Sequence, residues 1–280
     1  MNVYEIISNF YQKAKTEKII IGNSYFGRNI YALKMGEGAP VGIAQYAIHG
    51  REFITAKLAL AHYQKGIQKG SCWLIPLSNP DGCLLSEIGL SSAPNVHREF
   101  LLSLNHGNSD FSLWKANGRG VDLNVNFAAK WGKGTKNIKV AGAENYIGEQ
   151  PFSEKETLAL KEFTEKIQPD YTVSYHTKGE EIYWRFMQST HTCPRDFAFA
   201  QVIANATGYT IAEAKGSVGG YKDWCIKKLQ IPSFTIEAGQ DVFLHPLGER
   251  ALQDIIKKNE NVIFELSNAI ALWKDKKGKK

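Results

Sequence analysis

The run VGIAQYAI, from Val41 to Ile48, decides the fold class. It is short and nearly all apolar, as is typical of a strand buried on both faces of a sheet. A helical pattern at Ile54–Ile67 follows it, and the run CWLIPL at Cys72–Leu77 predicts a second buried strand. Since a strand, a helix and a strand in succession usually form a parallel unit, the sequence predicts an α/β domain with an at least partly parallel sheet.

Similar patterns extend the prediction to both sides of this unit. Apolar residues at helical spacing open the chain, and strands are predicted at Lys18–Ser24 and Asn29–Met35. The region 78–145 is rich in Gly, Asn and Ser and too long for an ordinary connection, so we expect functional loops there. Ser153 and Glu156 have the spacing of a capping box that begins the next helix. Further strands are predicted at 171–175 and 233–236, and further helices at 195–207, 220–229 and 247–273.

Composition and charge limit the class of protein. With 280 residues, 43% of them hydrophobic, the chain can form one sizeable domain, which we expect at 1–273. The net charge is +6, but the sequence KDKKGKK at 274–280 supplies +4 of it, which argues against a nucleic-acid-binding surface on the body. We expect this lysine-rich end to be a flexible tail rather than a functional arm.

The sequence also predicts the compartment and the state of the cysteines. The first residues include Glu5 and lack an apolar core, and no later run reaches the length of a membrane span, so a cytoplasmic protein is predicted. The four cysteines lack the spacing of a metal site, which favours buried, reduced thiols. The sequence does not determine the oligomeric state, and a monomer is the default expectation.

Three predicted strands end in side chains that can bind a metal or move a proton: His49, His176 and Glu237. Open α/β sheets bind ligands at this end of their strands. In the tetrad HGRE, His49 and Glu52 can converge on one ion, although such a pair alone is more often a helix-start charge beside a surface histidine. His176 completes the two-histidine, one-glutamate set of a catalytic zinc site, and packing or surface roles are expected for the other histidines.

Six motifs, in order along nearly the whole chain, resemble those of the zinc carboxypeptidase superfamily. They are HGRE at 49–52, IPLSNPDG at 75–82, GRGVDLNVNF at 118–127, HTKGEEIYW at 176–184, GGYKDW at 219–224 and FTIEAG at 234–239. The resemblance implies a single α/β domain with a mixed, twisted sheet of about eight strands and helices on both faces. It also implies one zinc ion per chain, bound by His49, Glu52 and His176. Within the superfamily, the motifs are similar to those of bacterial γ-D-glutamyl-L-diamino acid peptidases of the murein peptide amidase type.

The same resemblance implies roles for residues around the metal. Glu237 would be the general base, and Arg119 would match the arginine that stabilises the oxyanion. Asn124 would bind substrate, whereas Val125 stands where typical digestive members carry an arginine that clamps the substrate's terminal carboxylate. Ordinary C-terminal trimming is therefore not expected. Lys215 stands near the place of those enzymes' flexible tyrosine.

The substrate pocket is expected to contain Tyr221 and Lys222, with Lys222 at its base. We hypothesise that Lys222 meets a substrate carboxylate such as that of diaminopimelate or D-glutamate, because an ammonium beside a carboxylate forms a favourable charge-assisted pair. The competing interpretation is a solvated lysine in the first turn of a helix. Asp122 is expected to accept a hydrogen bond from a ligand histidine.

These residues predict a zinc peptidase that hydrolyses the γ-D-glutamyl-L-diamino acid bond, to diaminopimelate or lysine, in peptidoglycan stem peptides. The expected substrate is a small cytoplasmic muropeptide from wall recycling or from precursors. Two alternatives stay open: a zinc deacylase of N-acyl amino acids, and a wall-peptide-binding protein that has lost catalysis. The long run of peptidase motifs weighs against the first, and the presence of Glu237 and Arg119 weighs against the second.

Overall fold

The computed structural model describes residues 1–278 and contains one eight-stranded sheet. The strands lie in the order β1-β2-β4-β3-β5-β8-β6-β7. Their bounds are β1 Lys18–Asn23, β2 Asn29–Glu37, β3 Val41–Tyr46, β4 Gly70–Ile75, β5 Tyr171–His176, β6 Glu181–Tyr183, β7 Thr210–Ala212 and β8 Ser233–Glu237. The central strands β4, β3, β5 and β8 are parallel neighbours, whereas β1 with β2, β2 with β4, and β6 with β8 are antiparallel. The predicted mixed α/β sheet is confirmed.

Helices cover both faces of this sheet. They are α1 Val3–Lys13, α2 Thr55–Lys65, α3 Pro80–Ile88, α4 Asn95–Leu104, α5 Lys155–Ile167, α6 Cys193–Thr207, α7 Tyr221–Trp224 with a π-helical continuation at Cys225–Leu229, α8 Glu249–Asn259 and α9 Val262–Gly278. Because side chains alternate along a strand, β2 contributes Tyr31 and Leu33 to one hydrophobic core and Ile30 and Ala32 to the other. The first core packs under α1, α2, α6, α8 and α9, and the second under α5 and α7.

Two predicted helices differ in the structure. The helix predicted at 247–273 is two helices, α8 and α9, because the carbonyl of Asn259 bonds His62 Nε2 at 2.8 Å instead of continuing the helical ladder. The capping box at Ser153 and Glu156 is wrong, since α5 begins after Glu154 and Glu156 instead accepts a hydrogen bond from the backbone N–H of Tyr25. In both cases a residue that is distant in sequence forms a hydrogen bond with a group that the local sequence pattern had assigned to a helix.

The region 78–145 is more regular than predicted, because it contains α3 and α4. The Asn79 side chain accepts a hydrogen bond from the N–H of Gly82, and Pro80 occupies the first turn, so α3 has a strong local start signal. At the other end of the chain, α9 continues into the predicted tail as far as Gly278, and residues 279 and 280 lie outside the described residues. All four cysteines are free. No helix within 1–278 is long and apolar enough to cross a membrane.

A buried carboxyl, Glu156, lies where α5 meets the turn between β1 and β2. It is fully buried, and it accepts hydrogen bonds from Tyr25 N at 3.1 Å and from Asn117 Nδ2 at 3.4 Å. Burial, assisted by the negative charge of Asp81, raises the pKa of Glu156 from 4.5 to about 8. The folded protein therefore favours the protonated form of this side chain.

We expect Glu156→Gln to stabilise the protein at neutral and alkaline pH. Between pH 4.5 and about 8 the folded state binds more protons at Glu156 than the unfolded state, so the free energy of unfolding of the wild type falls as the pH rises. Glutamine removes this dependence and keeps an acceptor for Tyr25. The melting temperature should exceed that of the wild type by on the order of 5 °C at pH 8.5, with almost no difference near pH 4.5. Glu162→Gln, an exposed control on the same helix, should show no such trend; a pH-independent difference at Glu156 would contradict the prediction.

Candidate metal centre

Three neighbouring parallel strands deliver the predicted site residues to one edge of the sheet. β3 lies beside β5 and β5 beside β8, and their carboxyl ends meet at the same level, with His176 paired in register with Glu237. His49 follows β3 and begins a short 3₁₀ turn at Gly50–Glu52, which brings Glu52 back beneath it. The structure therefore brings together the three residues that the strand ends predicted, and with them Glu52, which was predicted from its spacing to His49.

His49, Glu52 and His176 form a compact, buried cluster. Nδ1 of His49 lies 2.9 Å from one carboxylate oxygen of Glu52, and Nδ1 of His176 lies 3.0 Å from the other. The two Nδ1 atoms are 3.1 Å apart. Burial opposes the ionisation of Glu52, but the two imidazoles hold its pKa well below its usual range. Among the described residues, this is the cluster that could hold a metal ion.

The donor set fits a zinc ion. Tetrahedral zinc with bonds of about 2.0–2.1 Å keeps its ligand atoms roughly 3.3 Å apart, close to the separations in this cluster. The Nδ1 atoms of His49 and His176 face each other across the cluster. Without a proton or a cation between them, their lone pairs would repel each other. The Nε2 atom of His176 is buried and has no hydrogen-bond partner among residues 1–278, whereas its Nδ1 atom contacts the cluster.

Gly50 is needed for the turn that places these ligands. A Cβ atom at this position would lie 2.5 Å from the carbonyl oxygen of Gly82 and 2.6 Å from that of Trp114, both closer than side chains approach backbone atoms. The N–H of Gly50 also donates a hydrogen bond to the carbonyl oxygen of Lys115 at 3.0 Å. The turn is therefore packed tightly against α3 and against the loop that carries Lys115.

Asp122 connects the metal cluster to Lys115. Its Oδ1 atom lies 3.3 Å from His49 Nε2, without the alignment of a good hydrogen bond, and its Oδ2 atom lies 2.8 Å from Lys115 Nζ. Asp122 is fully buried, yet the charges of Lys115 and His49 outweigh that burial and hold its pKa below the usual range. In turn, burial lowers the pKa of Lys115, but the Asp122 carboxylate outweighs it and keeps the lysine cationic. One carboxylate thus positions a ligand histidine and an ammonium group.

Glu237 lies beside the cluster and is open to substrate. It lines two adjoining cavities and keeps partial exposure at their junction. Loss of hydration raises the pKa of its carboxyl to about 7, although His176 lowers it. Among the described residues, none donates a hydrogen bond to its side chain. A carboxylate with these properties can accept and release a proton near neutral pH.

The two cavities differ in their charged linings. The first, of about 310 Å³, contains four cations and two carboxyl groups: Arg51, Lys115, Lys136, Lys215, Glu144 and Glu237. The second, of about 240 Å³, shares Asn124, Lys215, Ser217 and Glu237 with the first and ends on Lys222 and Asp223. An excess of positive charge around the metal cluster favours anionic substrates.

Two residues predicted to be at the site are not there. Arg119 does not line either cavity; its guanidinium lies 3.1 Å from Glu149 and 3.6 Å from Glu154, and its ring neighbour is Tyr25. Tyr221 is fully buried, with its hydroxyl 2.8 Å from that of Thr164. Arg119 lies in a turn closed by the hydrogen bond from the N–H of Asn117 to the carbonyl oxygen of Val121, and its ion-pair partners lie outside both cavities. The side chain of Tyr221 packs into the core under α5.

The predicted residues Asn124, Val125 and Lys222 do line the cavities. The residues that sequence reasoning missed are Lys115 and Arg51, both in the first cavity. Arg51 is the third residue of the HGRE motif, so its position close to the site could have been predicted from the sequence. Lys115 lies three residues before the GRGVDLNVNF motif, and its sequence neighbourhood did not mark it as a better candidate than Arg119.

Comparisons with known proteins agree with this geometry. The sequence model of the family described as zinc carboxypeptidase matches residues 4–262. The chain is 29% identical over 248 residues to gamma-D-glutamyl-L-diamino acid endopeptidase 1 of Lysinibacillus sphaericus, covering 82% of this chain and 62% of that protein. It is 41% identical over 120 residues to murein peptide amidase A of Escherichia coli K12, covering 40% and 46%. The chain therefore spans less than two thirds of the length of these relatives.

Solved structures share the fold. Bovine thrombin-activatable fibrinolysis inhibitor, in complex with tick carboxypeptidase inhibitor, superposes with a TM-score of 0.76 at 20% identity, covering 97% of both chains. Murein-tripeptide amidase from Escherichia coli O157 gives a TM-score of 0.60 at 21% identity, covering 93% of this chain and 94% of that one. At these sequence identities, the similarity shows a shared fold, that is, a shared arrangement of helices and strands.

Proposed function

The chain belongs to the zinc carboxypeptidase family, and on that premise we propose that it is a zinc metallopeptidase that hydrolyses the γ-D-glutamyl-L-diamino acid bond of peptidoglycan stem peptides. The observation that carries the proposal is the buried cluster of His49, Glu52 and His176, which borders, through His49, a cavity that is lined by Glu237 and by four cations. The two murein-processing relatives, a gamma-D-glutamyl-L-diamino acid endopeptidase and a murein peptide amidase, support the choice of bond. The diamino acid of this bond is diaminopimelate or lysine.

The metal would be held by His49 Nδ1, a carboxylate oxygen of Glu52 and His176 Nδ1. When bound there, zinc supplies Lewis-acid activation of a water molecule and of the scissile carbonyl. Glu237 would accept the proton of the attacking water on its carboxylate and deliver it to the nitrogen of the leaving amine. A carboxyl with a pKa of about 7 can do both steps without a large energetic penalty.

Lys115 takes the role that the sequence assigned to Arg119. Its ammonium lines the same cavity as His49 and Glu237, where negative charge develops on the carbonyl oxygen during attack. Asp122 fixes this ammonium in place, so little reorganisation is required when the charge appears. Asn124, which lines both cavities, is placed to contact the substrate near Glu237.

The charge of the cavity favours stem peptides over ordinary peptides. Arg51, Lys136 and Lys215 line the first cavity, and stem peptides carry several free carboxylates. Val125 lines this cavity without providing the guanidinium that would clamp a single C-terminal carboxylate. We extend the proposal to a peptidase domain at 1–273 that acts on muropeptides in the cytoplasm.

Mass-spectrometric analysis of a defined peptide tests the proposed function. The zinc-loaded protein, incubated with L-Ala-γ-D-Glu-meso-diaminopimelate, should release L-Ala-D-Glu and free diaminopimelate. Removal of the metal by a chelator should stop product release, and added zinc should restore it. Release of acids from N-acyl amino acids, with the tripeptide left intact, would favour the deacylase. Binding of the tripeptide without any product at one zinc per chain would favour a protein that has lost catalysis.

A further inference from the structure

A lysine-rich loop precedes α5 and borders the first cavity. The segment 130–140, which we call the basic loop, contains Lys130, Lys133, Lys136 and Lys139 and no acidic residue. All four lysines are exposed, and none forms an ion pair or a side-chain hydrogen bond within residues 1–278. The loop therefore concentrates uncompensated positive charge on one part of the surface.

Two exposed aliphatic side chains lie among these lysines. Ile138 is 43% exposed and Val140 is 73% exposed. A single exposed aliphatic residue is ordinary on a protein surface, but here two of them share a loop that carries a lysine at every third position. At the surface of an anionic membrane, lysines contact the phosphate headgroups and aliphatic side chains enter the apolar layer below them. The basic loop presents both kinds of group.

Hydrogen bonds to the backbone of a later segment hold the basic loop in place. The N–H of Ile138 donates to the carbonyl oxygen of Asn145 at 3.0 Å, and Nε1 of Trp131 donates to the carbonyl oxygen of Ile147 at 2.9 Å. Since these contacts already order the backbone, little conformational entropy is lost when the exposed side chains meet a surface.

The basic loop also forms part of the wall of the first cavity. Thr135, Lys136 and Asn137 line that cavity together with His49 and Glu237. A membrane in contact with the loop would therefore lie next to the cavity that the metal cluster borders. A peptide held at such a membrane would be close to the site of hydrolysis.

A soluble polyanion matches the lysines of this loop but not its aliphatic side chains. Proteins that bind single-stranded nucleic acid combine positive charge with exposed aromatic rings, and often with arginine. The basic loop contains no arginine, and its one aromatic residue, Trp131, is half-buried. Ile138 and Val140 would stay in water in such a complex. These features favour a lipid surface over a polyanion.

We propose that the basic loop docks this protein, as a peripheral contact, on membranes that contain anionic phospholipid. The lysines supply the attraction to the headgroups, and Ile138 and Val140 supply the apolar contact. This inference goes beyond the proposed function and needs no catalytic step. A failure to cleave the stem tripeptide would refute the proposed function and leave the contact with lipid unaffected.

Co-sedimentation of the full chain with vesicles tests the inference. The protein should bind vesicles of phosphatidylglycerol and phosphatidylcholine in equal parts at least about tenfold more tightly than vesicles of phosphatidylcholine alone. Added salt should weaken this binding, because it screens the attraction between lysines and headgroups. Equal binding to the two kinds of vesicle, or binding to neither, would overturn the proposal.

Two pairs of lysine substitutions separate the loop from the net charge of the protein. Lys133→Gln combined with Lys139→Gln removes two lysines that do not line the cavity, and should lower the affinity for the anionic vesicles by about tenfold or more. Lys69→Gln combined with Lys257→Gln changes the net charge equally at two exposed positions outside the loop, and should stay within about twofold of the wild type. Equal losses in the two double variants would contradict the assignment to the loop.

The aliphatic side chains distinguish a lipid surface from a soluble polyanion. Ile138→Ser combined with Val140→Ser should lower the affinity for the anionic vesicles at least about threefold, because the apolar contact is lost while all four lysines remain. Val96→Ser, at an 84% exposed position of α4, is the matched control and should leave the affinity unchanged. If the serine double variant bound the vesicles as the wild type does, and polyphosphate competed fully with them, the loop would bind polyanions and the proposal of a lipid surface would be wrong.

Discussion

Replacing Glu237 with glutamine is expected to lower kcat for the stem tripeptide by roughly 10²–10⁴-fold. Glutamine has nearly the same shape but cannot take up the proton of the attacking water or return it to the leaving amine. The side chain lines both cavities and accepts no hydrogen bond from the described residues, so the substitution should leave the fold undisturbed. The rate of product formation, followed by mass spectrometry at saturating substrate, measures the effect.

The metal content and a matched variant separate a chemical role from a structural one. Glu237 is not in the cluster of His49, Glu52 and His176, so the glutamine variant should still bind one zinc per chain. Glu149→Gln makes the same chemical change at an exposed position that pairs with Arg119, away from both cavities, and should leave kcat unchanged. Equal rates for Glu237→Gln and the wild type would remove Glu237 from the mechanism.

Substitution of Lys115 by methionine should lower kcat by about 10²–10³-fold, with a much smaller change in KM. The reason is that an ammonium directed at the carbonyl oxygen acts mainly in the transition state, where that oxygen carries most charge. Arg119→Met should change kcat by less than about threefold, because its partly exposed ion pairs with Glu149 and Glu154 lie away from the cavities. Steady-state kinetics on the two variants distinguishes the two cations directly.

Loss of Lys115 also leaves Asp122 with one partner fewer, so a charge-preserving variant is needed. Lys115→Arg keeps the cation beside Asp122 and should recover most of the activity that methionine loses. The zinc content of each variant shows whether His49 has been displaced. A large loss of kcat in Arg119→Met, together with a near-normal rate in Lys115→Met, would show that Arg119, and not Lys115, stabilises the oxyanion.

The framework of the site could be predicted because it depends on buried strands. Apolar runs such as Val41–Tyr46 are legible in the sequence, and parallel strands necessarily bring their last residues to one edge of the sheet. The ligand side chains at His49 and His176 then follow from their positions at the strand ends. Glu52 follows from its spacing to His49 in the turn.

Which basic residue lines the cavity beside His49 could not be predicted in the same way. Lys115 and Arg119 lie four residues apart in one loop, and both are basic, so the sequence alone did not distinguish them. Their directions depend on contacts with residues far along the chain: Asp122 pairs with Lys115, whereas Glu149 and Glu154 attract Arg119. In the same way, the burial of Tyr221 depends on Thr164 in α5, a partner that periodicity alone does not reveal.

The shared carboxylate of Asp122 has a consequence for how this site can change during evolution. One of its oxygens lies near the imidazole of His49 and the other near the ammonium of Lys115, so both side chains are positioned by the same carboxylate. We expect a single mutation at Asp122 to disturb both at once, whereas Lys222 lines the second cavity and does not contact this group. Variation among descendants of this chain should therefore concentrate at the pocket base and spare the Asp122 position.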